Sequence, residues 1–566
     1  MKKFFALILM IGFVSATIVA QTREMTPSQK LRYAEQIIEN YYVDTVNSDK
    51  LVEEAIVAML KTLDPHSTYT NPEETTELTT PLNGNFSGIG IQFNMNNDTL
   101  YVVQTTAGGP SEKVGIVAGD RIISANDTLI SGVKMKNSDI IKILRGPKGS
   151  KVNVKVLRKG EKDLIDFRIT RDDIPVYSVT ASYMADPTTG YIKISRFAED
   201  THNELMQAME ELKRQGMKNV IIDLESNSGG YLSAAYNMAS EFLNYGDLVV
   251  YTDGPRIDSQ RYYAEAEGSY VNGRVVVLVN QYSASASEIF AGAMQDNDRG
   301  LVVGRRTFGK GLVQRPFPFP DGSMIRLTIS RYYTPAGRCI QKPYTEGESD
   351  DYRKDMSQRY DSGELMSADS IHFADSLKCY TRNGRVVYGG GGIMPDLFVP
   401  MDTADYSDYY RDLVAKGVIN QYCLNYVDAN RKALKRKYKT TDRYIAEFEV
   451  TPEIMQGLID KATAEGVEFN EEQYNISRNL LMVIVKGLIA NDIYDEKGIY
   501  NRIVNEINPI YKAALQLIND EAEYNRLLSG SNQPSPGATQ AETTPVEEAP
   551  DDEPDDEPDP EQMDMF

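Results

Sequence analysis

From Tyr177 to about Pro400, short apolar runs alternate with amphipathic stretches, and this alternation narrows the choice of folds more than any other feature of the chain. Gly190–Phe197, Val220–Leu224 and Val275–Asn280 read as strands, whereas Thr201–Gln215, Leu232–Leu243 and about Ser285 to Asp296 read as helices. Strands alternating with helices imply an α/β layer with largely parallel strands. The flanking sequence has other periods. In residues 25–80, Leu31, Tyr33, Ile37, Ile38 and Tyr41, then Leu51, Ala55, Ile56, Met59 and Leu60, recur at helical spacing. Pro65 ends the second of these helices, since a residue before proline avoids the helical region. Between Asn83 and about Arg171 the pattern becomes short β-like runs parted by glycine: Ile89–Phe93, Leu100–Gln104, Arg121–Ala125, Val152–Leu157 and Leu164–Thr170, with one helix over Ser138–Leu144. Residues 401–528 return to helical periodicity. Residues 529–566 hold twelve Asp or Glu, no Lys or Arg and many Pro, so this acidic tail is expected to be disordered.

Composition excludes several classes. With 41% hydrophobic and 25% charged residues, the 566-residue chain reads as a soluble multidomain protein. Its 60 Lys+Arg against 82 Asp+Glu give a net charge of −22, which argues against a nucleic-acid partner. Three Cys and three His, widely separated, build neither a disulfide framework nor a metal cluster, and no metal or other cofactor is expected. Lys2 and Lys3 precede an apolar run from Phe4 to Ala20, the layout of a secretory signal peptide over residues 1–20, cleaved after Ala20 or Ala16. A membrane anchor is the other reading of that run. The mature chain is expected to be exported and soluble.

Three stretches have the residue types for chemistry. In Val275–Ala291 a strand pattern passes through a turn of small residues, Ser283 to Ser287, into a helix pattern. A serine there faces free N–H groups and the positive end of the helix dipole, which can stabilise an oxyanion. Ser285 and Glu288 equally fit a Ser-x-x-Glu capping box, which needs no chemistry. In the second stretch Lys310 stands between Gly309 and Gly311 in an apolar run. Burial lowers the pKa of a lysine and frees its amine to act as a base. Gln314, four residues on, shares its face in a strand or a helix. A solvated loop lysine is the alternative. In the third, Gly229 and Gly230 lie between a strand and a helix, and paired glycines let N–H groups point into a cleft or make only a sharp turn. His66, His202 and His372 all read as surface residues, so a serine nucleophile here needs lysine as its base. The Ser-x-x-Lys and Lys-Thr-Gly motifs of penicillin-binding proteins are absent.

Taken in order, these motifs resemble the C-terminal processing, or tail-specific, serine peptidases. The likeness runs from about Tyr41 to Pro400: Leu63-Asp-Pro-His-Ser-Thr-Tyr69, Gly88-Ile-Gly-Ile91, Asp223-Leu-x-x-Asn-x-Gly-Gly230, Ser283-Ala-Ser-Ala-Ser-Glu-Ile289, Gln295-Asp296, Thr307-Phe-Gly-Lys-Gly311, Tyr333-Thr-Pro-x-Gly-Arg338 and Gly392-Ile-Met-Pro-Asp396. The resemblance implies Ser285 as nucleophile, Lys310 as base, Gln314 as the group orienting Lys310, and Gly229 with the Ala286 amide at the oxyanion. Asp296 lies eleven residues past Ser285, about 16 Å along an unbroken helix, and is expected to be structural. Glu225 and Ser228 stand where the family usually has Arg and Pro.

The same resemblance makes residues 84–172 an inserted β-rich PDZ domain, in which Ser87, Gly88, Ile89, Gly90 and Ile91 would bind a peptide carboxylate ahead of an edge strand. The expected architecture is a multidomain α/β protein: signal peptide 1–20, N-terminal helical region 21–83, PDZ domain 84–172, α/β serine peptidase core 173–400, C-terminal helical region 401–528 and disordered acidic tail 529–566. The expected function is an exported, periplasmic serine endopeptidase acting through an acyl-enzyme on protein or peptide substrates with free C-termini. A catalytically silent PDZ scaffold and a small-amide hydrolase are the competing readings. Homo-oligomer formation, and self-association through the tail ending in Phe566, are further expectations. For the tail, an inert solubilising segment is the alternative.

Overall fold

The structure is a computed structural model describing residues 25–530 apart from Asn97 and Asp495. The expected signal peptide and residues 531–566 of the expected tail lie outside the described residues. The centre of the molecule is a six-stranded sheet. Its strands run, in spatial order, Val179–Met184, Thr189–Ile194, Asn219–Asp223, Val275–Val279, Leu301–Gly304 and Leu397–Phe398, and all neighbours are parallel except the first pair. Val275–Val279 is a continuous apolar run because it is covered on both faces, as central parallel strands are.

Sequence order and spatial order coincide in this sheet. Right-handed crossovers between strands added one after another place every crossover helix on the same face. Thr201–Arg214, Leu232–Ser240 and Ala286–Asp296 accordingly share one core with Ile192, Val220, Ile222, Val275, Val277 and Val302. The alternate residues Tyr191, Ile221, Val276, Leu278, Leu301 and Val303 point to the other face and need cover from elsewhere. The helices Pro509–Asn519 and Glu521–Ser529 supply it with Ile510, Tyr511, Ala514, Leu517, Ile518 and Tyr524. The C-terminal helical stretch thus serves two cores. Its earlier helices, from Asp408–Ala415 to Ile499–Val504, close on a core of their own around Val427, Tyr444, Leu458 and Leu481.

A second sheet stands beside the first. Met324–Tyr333 is its hub, pairing antiparallel with Thr68–Thr70, Leu248–Gly254 and Leu312–Pro318, while Ile257–Tyr263 extends Leu248–Gly254. The β-rich insert is a separate sheet ordered Ile91–Asn96, Thr99–Thr105, Arg121–Ala125, Lys151–Leu157 and Ile165–Thr170, with Thr128–Leu129 added beside Arg121–Ala125. Its core includes Ile89, Leu100, Val154 and, from the helix Asn137–Leu144, Ile140 and Leu144. Ile91–Asn96 forms one edge of that sheet. The helix Val418–Lys437 braces the insert: Leu424 packs on Tyr101 and Val103, and Asp428 pairs with Arg121 at 2.8 Å and Lys159 at 3.4 Å. At the N-terminus the helix Pro27–Tyr41 buries none of its residues, although it carries Leu31, Tyr33, Ile37, Ile38 and Tyr41.

Candidate active site

Ser285 caps the helix Ala286–Asp296 in a conformation that L-residues rarely adopt, φ 56° and ψ −113°. Packing enforces this elbow. The turn Gly229–Gly230 presses against it so closely that a Cβ on Gly229 would lie 2.8 Å from Ser285 Cβ, and one on Gly230 would lie 2.1 Å from the Phe197 carbonyl oxygen. Both glycines have positive φ, so only glycine fits the turn. Asn227 ties the two segments: its carbonyl accepts from the Ala284 N–H at 3.0 Å and the Ser287 hydroxyl at 2.8 Å. The Gly229 N–H donates to Asn227 Oδ1 at 2.9 Å, so this amide is engaged within the turn.

Glu288 connects the elbow to the lysine loop. It is fully buried and accepts from the Ser285 N–H (2.8 Å), the Thr307 hydroxyl (2.5 Å), the Gly309 N–H (2.7 Å) and the Lys310 N–H (2.9 Å). Burial pushes its carboxyl up to about 7 against the pull of those four donors. Tyr332, also fully buried, reaches the carbonyls of Ser285 (3.1 Å) and Lys310 (2.5 Å) with its hydroxyl. Two side chains therefore hold the backbones of residues 285 and 310 to each other.

The Lys310 amine donates to Gln314 Oε1 at 3.1 Å, and Gln314 Nε2 donates to the His66 carbonyl. That second bond fixes which end of the Gln314 amide faces the amine. Burial, then the neighbouring Arg326 charge, lower the Lys310 pKa to about 8. Ser285, Ala286, Gly229, Lys310 and Gln314 line a single cleft of about 590 Å³. A serine sharing a cleft with a lysine whose pKa burial has lowered is a combination suited to nucleophilic attack on a carbonyl.

The structure places several residues differently from their reading in sequence. His66 was expected at the surface; it is half-buried, its Nε2 lies 2.8 Å from the Tyr352 hydroxyl, and burial together with Lys310 lowers its pKa to about 3. His202 bonds Glu241 at 2.8 Å on the crossover helix, away from the cleft lining. The stretch 345–380 contains the helices Ser349–Arg353 and Asp355–Asp361, and its Glu364 ties Arg306 and Arg359. Asp296 forms a wholly buried pair with Arg338 at 2.6 Å and takes the Ala336 N–H. Glu288 had been read only as half of a cap, and Tyr332 and Tyr352 carried no signal, because their hydroxyl partners lie 11 to 286 residues away in sequence. In the insert, Ser87 and Gly88 pair with Asp173 and Asp172, Ile89 is in the core and Ile91 opens the edge strand. Gly90 has φ 71° and a Cβ there would meet Ile174 at 2.9 Å, so the bend before the edge strand requires glycine.

Comparison with known proteins agrees with this architecture. The model of peptidase family S41 matches residues 188–351, a PDZ domain model matches 87–181, the N-terminal domain model of the activating protease CtpB matches 14–75, and a family of unknown function (DUF8443) matches 409–495. The carboxy-terminal-processing protease of Bartonella bacilliformis is 32% identical over 342 residues, covering 58% of this chain and 78% of that protein. The carboxy-terminal processing protease CtpB of Bacillus subtilis is 36% identical over 332 residues, covering 58% of this chain and 68% of its own. Among solved structures, the photosystem II D1 C-terminal processing protease is similar at 29% identity over 56% of this chain and 91% of that one, with a TM-score of 0.32. The chain belongs to the carboxy-terminal processing serine proteases of peptidase family S41, with a PDZ domain.

Proposed function

We propose that this chain is an exported endopeptidase that recognises the free C-terminus of a protein substrate through its PDZ domain and cleaves by a serine–lysine mechanism. The observation that carries the mechanism is the Lys310 amine, oriented by Gln314 and lowered to about 8, in the same cleft as the strained Ser285. Neutral Lys310 takes the proton from Ser285 Oγ as that oxygen bonds to the scissile carbonyl carbon. The resulting ammonium gives the proton to the leaving amine as the C–N bond breaks, leaving an ester on Ser285. Water, deprotonated by the same amine, then hydrolyses the ester. The Ala286 N–H, first in its helix, stabilises the oxyanion, and Gly229 joins it once its amide turns from Asn227 Oδ1. Kinetics on an unfolded protein substrate test the assignment: Ser285→Ala and Lys310→Arg should each be inactive, since arginine stays protonated. An active Lys310→Arg enzyme would overturn it.

For recognition, the substrate terminus adds as a strand beside Ile91–Asn96, its carboxylate held at Ser87–Ile91. Amidating that terminus should slow cleavage; equal rates for acid and amide would count against it. The amphipathic helix Pro27–Tyr41, whose apolar side chains are exposed, supports self-association, which light scattering of chains with and without residues 25–47 checks. Phe566 offers a terminal carboxylate of its own to the PDZ groove. Deleting residues 561–566 should then lower KM for a C-terminal peptide.

A further inference from the structure

Two arginines in the cleft have no side-chain hydrogen-bond or ion-pair partner among the described residues. Arg196 follows the strand Thr189–Ile194 and precedes Phe197, which bridges to Gly230; Arg326 lies on Met324–Tyr333, opposite Pro316 of the strand that begins just after Lys310. One thus lies beside the glycine turn and the other on the strand paired with the one that follows the base. Both are half-buried, and the Nε of each is buried without a hydrogen-bond partner among the described residues. Neither forms an ion pair among those residues. Buried guanidiniums elsewhere have acceptors: Arg338 is matched by Asp296, Arg306 and Arg359 by Glu364, and Arg385 by Asp298 and Asp396, while Arg171 and Arg305 donate to carbonyl, hydroxyl and amide oxygens.

Desolvating a cation without a counter-charge is costly, and breaking such pairs is among the more destabilising changes in proteins. Burial alone holds Arg326 below the usual arginine range, with no acid opposing it. Asp64, close by across the strand pair Thr68–Thr70, is already taken by the N–H groups of His66 and Ser67 and the hydroxyls of Ser67 and Thr328. What the two arginines lack is an acceptor, which a ligand can bring, and a guanidinium matches a carboxylate with two parallel hydrogen bonds.

We propose that Arg196 and Arg326 form an anion subsite that accepts a carboxylate of the peptide substrate beside the scissile bond. This rests on Ser285 and Lys310 being the reacting pair. The carboxylate is an Asp or Glu side chain flanking that bond, or the terminal carboxylate of a peptide short enough to end in the cleft.

The experiment measures kcat/KM of the full chain on two peptide sets. Long peptides carry Glu or Gln at successive positions around one scissile bond; short peptides end within the cleft as acid or amide. Glu should exceed Gln on the order of ten-fold at one position or more, and the ratio should fall to about one in Arg326→Gln or Arg196→Gln. Arg326→Glu should reverse it, favouring Lys. A ratio seen only between short acid and amide peptides assigns the subsite to the terminal carboxylate. Equal rates throughout, with cleavage still abolished by Ser285→Ala, would sink the subsite and leave the peptidase reading intact. No cleavage of any peptide by the unaltered chain would instead sink that reading, and the subsite with it. Should the arginine variants not fold, affinities of the Ser285→Ala chain for the Glu and Gln peptides decide: a salt-sensitive preference for Glu supports the subsite, equal affinities overturn it.

Discussion

Lys310 and Glu288 are each held in an environment that disfavours their charged form, and both effects are measurable. The amine titrates near 8 in the folded chain against 10.5 for an ordinary lysine. Below pH 8 the unfolded and folded chains both carry the proton, and the folded state bears the whole cost of burying the charge. Between about pH 8 and 10.5 only the unfolded chain still holds it, so stability rises with pH across that window. Lys310→Met removes the cost and should raise stability at pH 7 by on the order of 1 to 3 kcal/mol. Denaturant melts at pH 7 and at pH 10.5 check this; a gain of equal size at both would contradict the burial argument. Catalysis has the reverse need. Under the proposed mechanism Lys310, near 8, must lose its proton to act as base, and Glu288, near 7, must lose its own to accept all four of its donors. On a logarithmic plot, kcat/KM should climb with a slope of one between pH 7 and 8 and approach two below pH 7. Glu288→Gln replaces one acceptor oxygen by an NH2 that faces either the donors of Thr307 and Gly309 or those of Ser285 and Lys310. Its kcat should fall on the order of a hundred-fold, with the lower ionisation gone from the profile. An unchanged two-step profile in this variant would assign the lower limb to another group.

Among elements, the helix Val418–Lys437 has the contact with most consequence. Asp428 takes Arg121, Lys159 and the Tyr101 hydroxyl while Leu424 closes the apolar seam, so the helical region and the PDZ sheet meet through one residue of each chemistry. The charges are partly screened, with about a fifth of the Arg121 and Asp428 side chains exposed. Asp428→Ala should therefore cost only about 1 kcal/mol overall while loosening the seam. Amide hydrogen exchange should quicken in 99–105 and 121–125, with protection of the core strand Val275–Val279 unchanged. If exchange in the insert stays as it was, the seam is held by Leu424 alone.

For the molecule as a whole, the order of strands in the central sheet decides which truncations it tolerates. One face is covered by its own crossover helices, and the other depends on residues 509–529. Six side chains from that segment lie in the core, worth on the order of 10 kcal/mol by buried area. That exceeds the margin of most domains. Ending the chain after Glu506 should leave the peptidase core unfolded or aggregated. A folded, active chain ending at 506 would show that the face needs no cover.

The sequence by itself determined the elements whose periodicity is local. The alternation over 177–400 marked Val275–Val279, the crossover helices and the turn between them, since a buried parallel strand needs an unbroken apolar run and its helix an amphipathic one. Gly229, Gly230, Ser285, Lys310 and Gln314 were legible for a related reason: a glycine pair, or a lysine set between glycines in an apolar run, is rare unless the backbone demands it, and the ordered motifs of the family carried the rest. Only the tertiary structure decided how those pieces meet. The hub strand Met324–Tyr333 joins segments from residues 68 to 333, and its alternation is blurred because it is paired on both edges and open to the cleft. The cover supplied by 509–529 is invisible locally, since an apolar helical stripe does not say which sheet it will meet. Glu288, Tyr332, His66 and Tyr352 acquire their roles from partners brought close by folding. The same is true of Arg196 and Arg326, whose lack of a partner among the described residues becomes visible only in the folded cleft, where no acid is among the lining residues. A side chain's charge and size are written in the sequence; its desolvation is a property of the packed molecule.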